Sequence, residues 1–184
     1  YANVRRGGII AIKIVPGDML IEARFTSGHD DVVLITASGL SIRFHENGVR
    51  TMGRSAAGVR GIRLIKEDHL VALAIVGNDA TLLVAGENGI GKRTVFDDYR
   101  VQSRGGKGVK TMKITTKTGK VVGGLTVRDG DEIMLITVGG QMVRTAVRGI
   151  RQTGRNTQGV RLVNLDANDR LQDIAPVITS GKEE

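Results

Sequence analysis

Gly86-Glu87-Asn88-Gly89-Ile90-Gly91-Lys92 carries the G-x-x-x-x-G-K spacing of a nucleotide phosphate loop. Such a loop aims backbone N–H groups and a lysine at the phosphates, places a Ser or Thr hydroxyl on magnesium, and leads into a helix. Here Arg93 stands where the hydroxyl is needed, and no helix-forming stretch follows. Ala37-Ser38-Gly39-Leu40 and Val138-Gly139-Gly140-Gln141 fill the same place elsewhere in the chain, so the match reads as a hairpin turn. His29, His45 and His69 lack metal-ligand spacing, and Asp30-Asp31 and Asp97-Asp98 are solitary turn pairs. With no cysteine, there is no thiolate ligand, disulfide or cysteine nucleophile. The chain is expected to hold no cofactor, no metal and no catalytic residue of its own.

The remaining chemistry is cationic. The 184 residues include 27 Lys plus Arg against 19 Asp plus Glu, a net charge of +8. Segments 39–63, 89–119 and 140–161 hold 18 basic and 3 acidic residues, net +15, whereas the rest of the chain is net −7. The candidate binding residues are Arg43, Arg54 and Arg60, then Arg93, Arg104, Lys107 and Lys110, then Arg144, Arg148, Arg151, Arg155 and Arg161. Lysine and arginine beside glycine-rich loops suit a phosphate backbone, because glycine lets backbone N–H groups approach an anion. Single-strand binders stack bases on aromatic platforms, but only Tyr1, Phe25, Phe44, Phe96 and Tyr99 are present, at positions that do not recur. No recognition helix or zinc finger is evident, so the expected partner is double-stranded DNA held without regard to sequence.

The elements that must position these cations come from a repeat. Gly8-Ile9, Gly58-Val59, Gly108-Val109 and Gly159-Val160 recur at spacings of 50, 50 and 51 residues. Arg43, Arg93 and Arg144 precede the last three glycines by fifteen residues, and Arg54, Arg104 and Arg155 precede them by four. Arg60, Lys110 and Arg161 follow directly after each Gly-Val pair. Val32-Val33-Leu34-Ile35, Thr81-Leu82-Leu83-Val84 and Ile133-Met134-Leu135-Ile136 are short apolar runs closed by glycine turns, which predicts buried strands. Alternation in Ile62-Arg63-Leu64 and Met112-Lys113-Ile114 predicts half-exposed strands after Gly-Val. The fold class is therefore all-β, a propeller-like array of four-stranded antiparallel blades with about 50 residues per repeat. Residues 1–184 read as one unit: a partial repeat 1–28, full repeats 29–77, 78–128 and 129–178, and a tail 179–184. Tyr1 in place of an initiator Met suggests an excised piece of a longer chain. The absence of a signal-peptide core or a long apolar run points to a cytoplasmic protein without a membrane partner.

Gln102-Ser103-Arg104-Gly105-Gly106-Lys107-Gly108, Gly154-Arg155-Asn156-Thr157-Gln158-Gly159-Val160 and Ala57-Gly58-Val59-Arg60-Gly61-Ile62-Arg63-Leu64 resemble the C-terminal domain of the DNA gyrase A subunit. The resemblance spans essentially the whole chain and corresponds to the C-terminal two-thirds of that domain. It implies a β-pinwheel, with strand exchange between neighbouring blades and a basic perimeter that binds and bends DNA. It also implies a non-catalytic part of an ATP-dependent type II topoisomerase that introduces negative supercoils. Its partners would be the gyrase B subunit plus the other domains of the A subunit, with ATP and magnesium used elsewhere and the enzyme at the bacterial nucleoid. The family's DNA-cleaving tyrosine follows a basic residue in another domain; Tyr99 follows Asp98. Ser103 replaces an arginine of the family's signature box, so residues 102–108 look like a degenerate copy, with the authentic box expected upstream of Tyr1. Two alternatives stand beside this reading: the box-poor domain of the topoisomerase IV A subunit, and a basic-rimmed propeller that binds an acidic protein or RNA.

Overall fold

A computed structural model describes residue 4 and residues 6–178; Tyr1 and the expected tail 179–184 lie outside the described residues. Among the described residues, eleven strands form three antiparallel sheets, and the helical structure is three single 3-10 turns at Glu46–Gly48, Phe96–Asp98 and Val147–Gly149. The first sheet has the order β3-β1-β2-β6: Leu70–Ile75, Asp31–Thr36, Leu40–His45 and Val109–Lys110. In the second, β10-β5-β4-β7, the strands are Val160–Arg161, Ile90–Val95, Thr81–Gly86 and Val121–Val127. The third is β11-β8-β9, Leu171–Pro176, Glu132–Thr137 and Met142–Ala146.

Each hairpin turns on a glycine with positive φ, Gly39 at 77°, Gly89 at 73° and Gly140 at 86°, a region that side chains with a Cβ rarely enter. At Gly39 a Cβ would also stand 2.6 Å from the Met112 carbonyl oxygen, which holds this turn against the following repeat.

The half-exposed strands expected at 62–64 and 112–114 are not strands, because the N–H groups of Arg63 and Lys113 go to a loop of the next repeat instead of a ladder. The strand at Gly-Val is two residues, Val109–Lys110 in β6 and Val160–Arg161 in β10. It completes the sheet of the preceding repeat, with Leu40 opposite Lys110 and Ile90 opposite Arg161. Part of the alternation survives as burial: Ile62 and Met112 are buried while Arg63 and Lys113 are exposed, but Leu64 is exposed and Ile114 only half-buried. No described strand covers the outer edge of β9, which explains the count of three in the last sheet.

The core lies between blades. Val33 and Ile35 of β1 meet Leu82 and Val84 of β4 in one cluster; Leu83 and Ala85, on the other face of β4, meet Ile133 and Leu135 of β8 in the next. A strand sandwiched on both faces needs an unbroken apolar run, so Leu82-Leu83-Val84 shows no alternation. In β8 the expected full burial is corrected: Ile133 and Leu135 are buried, but Met134 and Ile136 are only half-buried, because no described blade packs on their side. Phe96 and Tyr99 belong to the first of these clusters, and Phe44 packs with Val32, Leu34, Ile42 and Ile62 in a third. That leaves exposed Phe25 as the one described aromatic able to meet a base.

Candidate nucleic-acid interface

The hairpin arginines turn inward rather than outward in the first two full repeats. Arg43 donates from Nε to Asp31 at 2.8 Å, and from Nη1 to the carbonyl of Phe96 at 2.8 Å, reaching the 3-10 turn of the next repeat. Arg93 does the same one blade on, donating from Nε to the Ile150 carbonyl at 2.7 Å and pairing with Asp129. Asp129 substitutes for the acid on the neighbouring strand, since the counterpart of Asp31 in this repeat is Thr81. With 8% of its surface exposed, Arg93 is a blade-to-blade tie. The expectation of phosphate contact is withdrawn for Arg43 and Arg93, because their guanidinium groups are spent on carbonyls and a carboxylate. Arg144, at the third such position, is exposed and pairs with Glu132, which holds that carboxyl below its ordinary pKa.

The second set of arginines binds loop to loop. Arg54 donates to the Ile10 carbonyl at 2.9 Å, Arg104 to the Arg60 carbonyl at 3.2 Å and the Gly48 carbonyl at 2.7 Å, and Arg155 to the Lys110 carbonyl at 2.9 Å. Ile10, Arg60 and Lys110 are equivalent positions, the residue just after Gly-Val or its counterpart one repeat earlier, while Gly48 is an additional acceptor for Arg104 alone. Backbone bonds complete the contact: Gly105 N–H to the Gly61 carbonyl at 2.5 Å, Arg63 N–H to the Gly106 carbonyl at 2.8 Å, and Lys113 N–H to the Thr157 carbonyl at 3.0 Å. Successive basic loops are thus zipped edge to edge into one continuous track. Arg155 also lies over the Tyr99 ring, 6.0 Å from its centroid.

Arg60, Lys107, Lys110, Arg148, Arg151 and Arg161 are exposed along this track. Among the described residues Arg161 reaches only Asn164 Oδ1, at 3.0 Å, and no carboxylate pairs with any of the six. Such cations keep their full charge for a polyanion. Arg50 and Arg100 belong with them and were missed: both are exposed, and they precede Arg151 in register, at spacings of 50 and 51 residues. The repeat register that located the other cations would have found them. Exposed Arg63 and Lys113 form a similar pair, 50 residues apart.

The phosphate-loop match is a hairpin. Lys92 is buried and donates to the Gly154 carbonyl at 2.6 Å and to the Arg155 carbonyl, so its ammonium is spent on a neighbouring loop. Among the described residues no three His, Asp or Glu side chains gather as a metal site.

The family model of the DNA gyrase C-terminal domain, beta-propeller, matches residues 1–27, 30–77, 80–128 and 131–178. The chain belongs to this family. The DNA gyrase A subunit of Mycolicibacterium smegmatis is 46% identical over 177 residues, covering 95% of this chain and 21% of that protein. The DNA gyrase A subunit of Escherichia coli is 44% identical over 184 residues, covering the whole of this chain and 21% of that protein. The chain therefore spans about a fifth of the curated relatives it matches. A solved DNA gyrase A C-terminal domain superposes with a TM-score of 0.86 at 29% identity, over 94% of this chain and 59% of the other. The C-terminal domain of DNA topoisomerase IV superposes at 0.89 with 24% identity over 96% of this chain and 56% of the other, a likeness of fold. The β-pinwheel expected from the resemblance is the fold observed.

Proposed function

We propose that this domain binds and bends duplex DNA along its zipped basic loops, as a non-catalytic part of a gyrase A subunit. The observation that carries the reading is the track itself. Loops of neighbouring repeats touch through Arg104 and Arg155, so the exposed cations succeed one another without a gap. A duplex can meet them together only by following the blades. Bending a 20 to 30 base-pair site through 40 to 90 degrees costs on the order of 1 to 6 kcal/mol, and several phosphate contacts must offset it.

The residues proposed to meet phosphate are Arg60, Lys107, Lys110, Arg148, Arg151 and Arg161, with Arg50 and Arg100 added. Arg54, Arg104 and Arg155 shape the loops and lend their remaining N–H groups. Arg144 is a weaker member, because Glu132 cancels its charge. Nothing in this set reads base edges, so binding is sequence-independent. In the parent enzyme, ATP and magnesium act elsewhere, the gyrase B subunit is a partner alongside the rest of the A subunit, and the bent duplex biases strand passage toward negative supercoils at the nucleoid.

The test is fluorescence transfer between the ends of a labelled duplex of about 40 base pairs, read beside its affinity. Arg148→Ala with Arg151→Ala should reduce the bend more than the affinity, since the other blades still hold a straighter duplex. Unbent DNA in the wild-type complex refutes bending. Equal affinity for an acidic protein or RNA refutes duplex DNA as the ligand.

A further inference from the structure

Position 92 breaks the repeat. Its counterparts are Ile42 and Val143. Ile42 is fully buried beneath the 103–108 loop, where a Cβ on Gly106 would lie 3.5 Å from its Cδ1. Lys92 takes the same place beneath the next loop, equally buried, with its ammonium on the Gly154 and Arg155 carbonyls. The loop over Ile42 rests on a hydrocarbon; the loop over Lys92 is held by a charge. A buried ammonium is tolerated only where carbonyls replace its water. The bonds it makes are about twice as strong as those of a neutral amine.

We propose that Lys92 is the positioning residue of the 154–155 turn, and that its ammonium form holds Arg155 in place at the edge of the basic track. The charged groups facing it are Arg155 from the loop above and Asp98 from the Phe96–Asp98 turn; the buried phenol of Tyr99 adjoins both. Burial and Arg155 push the lysine down to about 8, against the pull of Asp98. Burial also raises the Tyr99 phenol, which is therefore neutral around that pH. If the track binds DNA as proposed above, phosphates beside Arg155 cancel its repulsion, and Lys92 holds its proton more tightly in the complex. Affinity is therefore full below pH 8 and falls as pH rises through it, because the free protein sheds a proton that the complex must regain.

Two arms separate this inference from the DNA reading. In the protein alone, NMR of labelled lysine side chains should show Lys92 titrating near pH 8, with the protection of the Gly154–Thr157 amides against exchange, relative to their intrinsic rates at each pH, falling in step. With a duplex of about 40 base pairs, affinity should drop roughly three- to tenfold between pH 7 and 9, a drop that Lys92→Arg and Lys92→Met both abolish. Lys92→Arg keeps the charge at both pH values, and Lys92→Met restores the hydrocarbon of Ile42, so one of the two is available should the other fold poorly. A Lys92 resonance that titrates near the ordinary lysine value, or a wild-type pH step that persists in either variant, overturns the proposal. Failure to bind DNA at any pH, with titration and exchange still coupled, refutes the DNA reading and supports the positioning role.

Discussion

Replacing Arg93 by Ala separates a structural arginine from a phosphate-binding one. Its Nε bond to the Ile150 carbonyl is charge-assisted and shielded from water. Bonds of that kind contribute about 1.5–3 kcal/mol, and the carbonyl left without a donor adds a penalty of comparable size that partly overlaps. Its partner Asp129 is 81% exposed, so the ion pair adds little. A net loss of about 3 kcal/mol is expected, which for a domain of this size lowers Tm by about 6–12 °C. At a temperature where both proteins are folded, the slope of log affinity for duplex DNA against log salt should not change, since no phosphate contact is removed. Thermal melts and fluorescence anisotropy across a salt series measure the two quantities. Arg144→Ala is the internal control: the same repeat position, exposed, with no carbonyl of a following blade, and so with little effect on melting. A salt slope shallower by about 0.9 for Arg93→Ala, with Tm unchanged, would refute the blade-to-blade tie.

Lys107→Ala should do the opposite, flattening the salt slope by about 0.9 without changing Tm, as checked by the same two measurements. Leu83→Ala opens the core between the second and third blades and should cost about 2–5 kcal/mol in urea unfolding. Met134→Ala, on the uncovered face of β8, should cost far less. Burial raises Asp68, but donors from Ser38, Thr36 and His69 outweigh it and hold the carboxyl below its ordinary value. Its contribution to stability is therefore complete above about pH 4 and lost as pH falls below it, and acid melts of Asp68→Asn should lack that part of the decline.

The repeat was legible because the same glycines, arginines and apolar runs recur in register, and a buried strand needs its apolar run whatever else happens. What each arginine does was not legible. Arg43 and Arg104 are equally basic and equally periodic, yet one meets Phe96 and the other Gly48 and Arg60. The difference lies in which repeat comes to rest beside which, and a period fixes spacing without fixing neighbours. For the same reason the alternation after Gly-Val anticipated the burial of Ile62 and Met112 but not the exposure of Leu64, and no strand forms at 62–64 or 112–114. The short strands lie at Val109–Lys110 and Val160–Arg161, on another repeat's sheet. Lys92 was read within a phosphate-loop match, and only its burial shows that it supports a neighbouring loop.

The two-residue strands also bear on how the chain is made. Leu40 cannot close its sheet until Lys110 has been synthesised, nor Ile90 until Arg161. A ribosome therefore releases each blade with an open edge, and the edge is sealed only when the following repeat emerges. Contacts so distant along the chain slow folding, and an exposed edge in the interval invites pairing with another nascent chain. The same stitch makes unfolding collective: peeling away the repeat that holds β6 removes a strand from the blade before it, so proteolysis should yield either intact domain or small peptides, with few single blades between.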